Sequence, residues 1–147
     1  MKILLSILLF GMLSLGVNAQ DYTSSQLDLI KSVQEFLDTE GYHPERQDDG
    51  LKFTKNGAYY YVEVSKEDTA PMYLRFRRYV RYSDKLSKES IGKNINDYNV
   101  KYGVKALCRE NAVVLSLEMY LSDASQFIGI FDKCMYQLMS AYRNLTE

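Results

Sequence analysis

Two runs of alternating apolar and polar residues, 51–54 and 58–65, meet at Lys55-Asn56-Gly57. Asn-Gly is a strong hairpin signal, because both residues tolerate the positive φ that tight turns between twisted strands require. This commits the middle of the chain to antiparallel pairing, and its surroundings extend the pattern. A turn over 66–71, ending at Pro71, leads to a third strand over 72–82. Strands over 100–109 and 112–121 are joined tightly at Glu110-Asn111.

Helical spacing brackets the strands. Over residues 23–40, Thr23 and Gln26 form a capping-box pair, and Leu27, Ile30, Val33, Phe36 and Leu37 fall on one stripe with Leu29 to its side. Gly41 is the expected stop, and 42–50 reads as a polar loop containing Pro44. Residues 83–99 predict a weak helix, with Ser83 as its cap and Leu86, Ile91, Ile95 and Tyr98 on one side. A last helix over 124–143 presents Phe127, Phe131, Cys134, Met135, Leu138 and Tyr142. The order α-β-β-β-α-β-β-α predicts an α+β domain: a five-stranded antiparallel sheet with helices packed on one face.

Strand residues alternate between faces. One set is apolar and should meet the helices: Ala58, Tyr60, Val62 and Val64; Met72, Leu74, Phe76 and Val80; Tyr102, Val104, Ala106 and Cys108; Val113, Leu115, Leu117, Met119 and Leu121. Cys108 and Cys134 both point coreward, either as buried thiols or as a disulfide if their Cα atoms approach within about 7 Å. The other face carries Tyr59, Tyr61 and Glu63, then Tyr73, Arg75, Arg77, Tyr79 and Arg81. Tyrosine and arginine suit binding surfaces, since each joins a large contact area to hydrogen-bond donors. The plainer reading is that they form cross-strand pairs on a solvated face.

The N-terminus has the form of a cleavable export signal. Lys2 gives a positive start, residues 3–15 are mostly apolar, and Val17-Asn18-Ala19 supplies a cleavage site, so the mature chain would begin at Gln20 or Asp21. The apolar run is shorter than the roughly 20 residues a spanning helix needs. The expectation is a signal peptide over 1–19, a single domain over 20–147, no membrane span after cleavage, and a periplasmic or extracellular location. Removing 19 of the 147 residues leaves 128, enough for a self-sufficient core. Loss of Lys2 takes the net charge only from −1 to −2, so overall charge gives no argument for nucleic acid.

Few chemistries fit. His43 is the single histidine, and no G-x-S-x-G element accompanies it, so a hydrolytic triad is not indicated. His43, Glu45, Asp48 and Asp49 cluster in sequence without any metal-binding spacing, and phosphate-binding loops are absent. No metal and no cofactor is expected. Glu63 and Glu118 could do paired-acid work only if the fold brings them together. The wide apolar surface of the last helix is either core or a homodimer seam.

The element order and the hairpin Leu51-Lys52-Phe53-x4-Ala58-Tyr59-Tyr60-Tyr61-Val62 resemble the YbjN-like proteins and the type III secretion chaperone-like fold. The likeness includes Gly41-Tyr42 at the first helix end, Gly57-Ala58-Tyr59-Tyr60, the Asn-rich stretch Asn94-Ile95-Asn96-Asp97-Tyr98-Asn99, and Phe127 and Phe131 in the closing helix. It implies a non-catalytic module working through protein contacts, often as a dimer. Secretion chaperones of that fold act in the cytoplasm, whereas this chain carries an export signal. The expectation is therefore an exported protein-binding or chaperone-like module of the cell envelope. The alternative is a small binding protein for a glycan or polyanion on the Tyr/Arg face, and a carboxylate enzyme comes behind both.

Overall fold

The first helix, α1 (Ser24–Thr39), begins at a complete capping box. The Thr23 side chain accepts from the Gln26 backbone N–H, and Gln26 Oε1 accepts from the Thr23 N–H at 2.7 Å. The computed structural model describes residues 21–83, 86–92, 95, 99 and 103–146. The expected export signal over 1–19, Asn94 and Asn96 to Tyr98 of the Asn-rich stretch, and Tyr102 lie outside the described residues.

Gln26 does more than cap. It is fully buried, and its amide donates to the Ser65 and Asp68 carbonyls, so it fastens the helix start to the sheet. This rotates the buried stripe from the expected one. Gln26, Leu29, Ile30, Val33 and Leu37 face inward, while Leu27 is 48 % exposed. The helix ends in a Schellman arrangement: Tyr42 N–H donates to the Leu37 carbonyl, Gly41 N–H donates to that of Asp38, and Gly41 has φ +79°.

The sheet has six antiparallel strands where five were expected, in the order β1-β2-β3-β4-β6-β5. The additional strand is β1 (Glu45–Gln47), which lies in the expected loop and pairs with β2 (Gly50–Lys55) across Asp48-Asp49. It is a polar edge strand, so it carries no apolar alternation to betray it. The Asn56-Gly57 turn joins β2 to β3 (Ala58–Thr69), and both turn residues have positive φ, as expected. β3 runs further than its alternation suggests, through a register irregularity between Val64 and Thr69. Then follow β4 (Met72–Arg81), a short α2 (Lys88–Gly92), β5 (Lys105–Cys108), β6 (Ala112–Leu121) and α3 (Ala124–Thr146). The last helix starts where Asp123 accepts from the Ser125 N–H at 2.9 Å.

Asn99 brackets β5. Its side-chain amide donates to the Ala106 carbonyl at 3.1 Å and accepts from the Ala106 N–H at 2.6 Å.

α1 and α3 pack against each other and on one face of the sheet. The core holds Tyr60, Val62, Val64, Met72, Leu74, Phe76, Val113, Leu115 and Leu117 from the strands, as the alternation indicates. Phe131 sits at its centre, with ring centroids within 6.1 Å of those of Phe36, Tyr42, Phe53, Phe76 and Phe127. Cys134 is buried in α3 and Cys108 half-buried on β5, and both are free thiols. The bridge that their coreward positions allowed is not formed. Cys108 instead lies at the sheet margin, within hydrogen-bonding reach of the Tyr82 hydroxyl.

Gly50 is the least replaceable backbone position. At φ +153° a Cβ there would stand 1.9 Å from the Val62 carbonyl oxygen and 3.0 Å from the Glu63 Cα. Gly50→Ala is expected to lose roughly 2–4 kcal/mol, combining backbone strain with overpacking. A urea midpoint shift checks it, and an unchanged midpoint would show that β2 can retreat from β3.

Candidate binding face

Side chains that point away from α1 and α3 form ordered cross-strand rows. One row crosses all six strands: Glu45, Lys52, Tyr61, Arg77, Ser116 and Lys105. A second reads Gly50, Glu63, Arg75 and Glu118, and a third Thr54, Tyr59, Tyr79, Val114 and Leu107. Tyr73 pairs with Tyr120, and Arg81 with Ala112. All seven residues singled out from the sequence (Tyr59, Tyr61, Tyr73, Arg75, Arg77, Tyr79 and Arg81) therefore share one face.

The aromatic rings make cross-strand contacts. Tyr61 and Tyr79 meet edge-on at 4.9 Å, and Tyr73 and Tyr120 lie 5.0 Å apart. Arg77 lies 5.5 Å from the Tyr79 ring centre and Lys52 4.8 Å from that of Tyr59. Lys52, Tyr59, Tyr61, Tyr79, Arg81, Asn111 and Ala112 line a shallow concavity of about 340 Å³.

Beneath this surface lies Glu63, only 3 % exposed. One of its oxygens pairs with Arg77, and the other lies 3.4 Å from Arg75. Its burial has a local cause: its β2 neighbour is Gly50, which has no side chain, and the two arginines close over it from β4. A charge taken from water persists only when paired, so Glu63 fixes where the Arg77 guanidinium stands and draws the more exposed Arg75 towards it. The sequence marked Glu63 as a face residue but not as a buried one.

Glu118 flanks Arg75 on the other side, so the two carboxylates that the sequence could not relate share one row. They are separated by the Arg75 strand, and Glu63 is closed off from solvent. Burial would raise the Glu118 carboxyl, but hydrogen bonds from Tyr73, Lys105 and Ser116 and the Lys105 charge outweigh it and hold the group below its ordinary value. Burial and the bond to Glu118 in turn push the Tyr73 phenol up to about 12.

The Tyr73 phenol keeps its proton longer in the folded chain, so its contribution is complete below pH 10 and is lost as pH climbs towards about 12. Glu118 works oppositely: its contribution is present above the ordinary carboxylate range and fades as pH falls through its lowered value. Among the 13 tyrosines, Tyr73 and Tyr82 should ionise near pH 12. In a phenolate-absorbance titration, Tyr73→Phe should remove one group from that late portion. Removal from the early portion instead would refute the Tyr73–Glu118 contact.

The His43–Asp49 segment does not assemble a site. His43 Nδ1 lies 3.8 Å from Asp38, Glu45 pairs with Lys52 at 3.6 Å, and no metal-holding group of three or more His, Cys, Asp or Glu forms among the described residues.

Sequence reading also missed Arg78. It belongs to the alternation set of Met72, Leu74, Phe76 and Val80 and so lies on the helix side of the sheet. A charged residue at an apolar register position was the available signal.

No protein-family model matches the chain, and no curated protein matches its sequence. Solved structures do match. YbjN from E. coli, a proposed transcription regulator, is 12 % identical with a TM-score of 0.58, over 76 % of this chain and 87 % of that one. A chain of the ExsC–ExsE complex is 15 % identical with a TM-score of 0.59, over 78 % of this chain and 88 % of its own length. The described α+β domain thus has the YbjN-like, type III secretion chaperone-like fold.

Proposed function

We propose that this chain is an exported, non-catalytic module of the cell envelope that holds a polypeptide partner on its Tyr/Arg sheet face. The observation that carries the reading is the buried Glu63 beneath Arg75 and Arg77. A face that served only for solvation would not need a desolvated carboxylate to set its arginines. Side chains fixed before binding lose less entropy on contact, which favours affinity. Glu63 is also sequestered from any general acid or base work. The likeness to a chain of the ExsC–ExsE complex supports a protein partner, and the N-terminal pattern supports export, with a mature chain starting at Gln20 or Asp21.

The test must spare Arg75 and Arg77, because removing them strands Glu63. Tyr61→Ser, Tyr79→Ser and Arg81→Ser together should weaken capture of an envelope partner by at least about tenfold, since central aromatics and arginines commonly contribute ~2 kcal/mol each. Lys31→Met, on the exposed surface of α1, should leave capture intact. Equal capture by both variants would overturn the reading.

A glycan or polyanion on the same face is a second reading, favoured by the tyrosine-lined concavity between Lys52 and Arg81. Saturable thermal stabilisation by one member of a glycan and polyanion panel, lost in the triple variant, would select it.

A further inference from the structure

Arg78, like Arg46 and Lys55, is a charged strand residue on the helix side of the sheet. Its strand neighbours are Tyr60 on β3 and Leu115 on β6, both buried. Its guanidinium lies 4.1 Å from the ring centre of Tyr142 on α3 and 5.6 Å from that of Tyr60. Aromatic faces offset part of the cost of taking a cation from water, but they supply no hydrogen-bond acceptor in the plane of the guanidinium. Arg78 Nε is buried without a hydrogen-bond partner, and none of the ion pairs among the described residues includes Arg78. Arg77 Nε on the same strand is likewise buried without a hydrogen-bond partner, but Arg75 and Arg77 both pair with Glu63.

The surroundings of Arg78 are open. The β2–β3 hairpin turns at Asn56-Gly57, and Tyr59 opposite Tyr79 is the pair nearest that turn. β4 continues past it through Val80 and Arg81 with no β3 partner. This leaves a notch at the sheet end, a cavity of about 330 Å³ lined by Asn56, Gly57, Tyr59, Arg78, Arg81 and Tyr142, among others. Arg78 enters from the helix side of β4, and Arg81 belongs to the Tyr/Arg side. Both arginines thus line one notch at the strand end, together with Tyr59 and Tyr142. The lining has the composition of a site for a small oxyanion: two guanidinium groups for charge and forked donation, between aromatic walls.

We infer that this notch binds a small oxyanionic group, either a carboxylate or a phosphoryl group, between Arg78 and Arg81. The bound group supplies the counter-charge that Arg78 lacks among the described residues. The site lies apart from the Glu63 row but shares Tyr59 and Arg81 with the neighbouring concavity, so Arg78, which lines only the notch, tells the two apart.

The experiment titrates sodium acetate and sodium phosphate separately into the full chain, with ionic strength held constant by chloride. Melting temperature and the side-chain Nε–H resonances of the arginines are followed. Expected is a saturable rise of roughly 5 °C with at least one of the two anions, and a shift of the Arg78 Nε–H signal with the same midpoint. Arg78→Met should abolish the saturable rise, while Lys31→Met should keep it. A response to acetate alone identifies a carboxylate site, and a response to phosphate alone a phosphoryl site. If neither anion gives a saturable response, or if Arg78→Met responds like the parent, the assignment is wrong. Should Arg78→Met fail to fold, the parent's Arg78 resonance and the Arg81→Met variant decide the matter in the same way.

Discussion

Glu63→Ala should cost about 3–5 kcal/mol of folding stability, the scale for breaking a buried ion pair from one side. The carboxylate is only 3 % exposed, and the Arg77 side chain that pairs with it only 15 %. Removing Glu63 leaves Arg77 among tyrosines with a charge that water cannot fully reach. Arg75 is 41 % exposed and can turn to solvent, so Arg75→Ala should cost far less, about 1 kcal/mol. The diagnostic measurement is a cycle in urea. Glu63→Ala with Arg77→Met should recover part of the loss, because the stranded partner is gone. If the double variant is as unstable as the two single losses added together, the pair is not coupled and Glu63 does not organise the face.

Phe131→Ala should destabilise by about 3–5 kcal/mol for a different reason: it empties the centre of the core. Five aromatic rings surround Phe131, contributed by α1, the segment after it, β2, β4 and α3 itself. A cavity enclosed by rigid rings collapses poorly, which places the loss towards the upper part of that range. For a chain of this length the melting temperature should fall by roughly 15 °C. The Tyr/Arg face lies on the other side of the sheet, so partner capture by the folded variant should be unchanged at low temperature. A small loss of stability would mean that the helices shift to fill the space.

Much of the architecture was legible because period-2 and period-3.6 patterns are direct records of burial. The alternation through Tyr60, Val62 and Val64 and through Leu74 and Phe76 marks the helix-covered face, and Asn56-Gly57 marks the hairpin. Where an element is held by polar groups, the record fails. β1 is an edge strand without an apolar side, so Glu45, Arg46 and Gln47 read as loop. Gln26 takes a core position through its hydrogen bonds to Ser65 and Asp68, so an apolar count prefers Leu27 and rotates α1. The Tyr/Arg face was legible as a list, but not its support. The burial of Glu63 depends on the absent side chain of Gly50 across the pairing, and no single-strand pattern records what stands opposite. Arg78 was overlooked because it interrupts an apolar set, and such an interruption becomes informative once the register is known.

The Asn99 amide has a consequence for how anything can join this sheet. At one margin it occupies both backbone groups of Ala106, the place where an added strand would pair, and at the other margin β1 offers only three residues. Native sheets use short strands and covered margins to discourage growth from one molecule to the next. A partner is thereby steered away from prolonging the sheet through main-chain pairing, which accepts many sequences. A partner held on the proposed Tyr/Arg face would lie across the strands and be read by side chains, and its selectivity would then reside in the spacing of its residues over the rows of Tyr61, Arg77 and Tyr79.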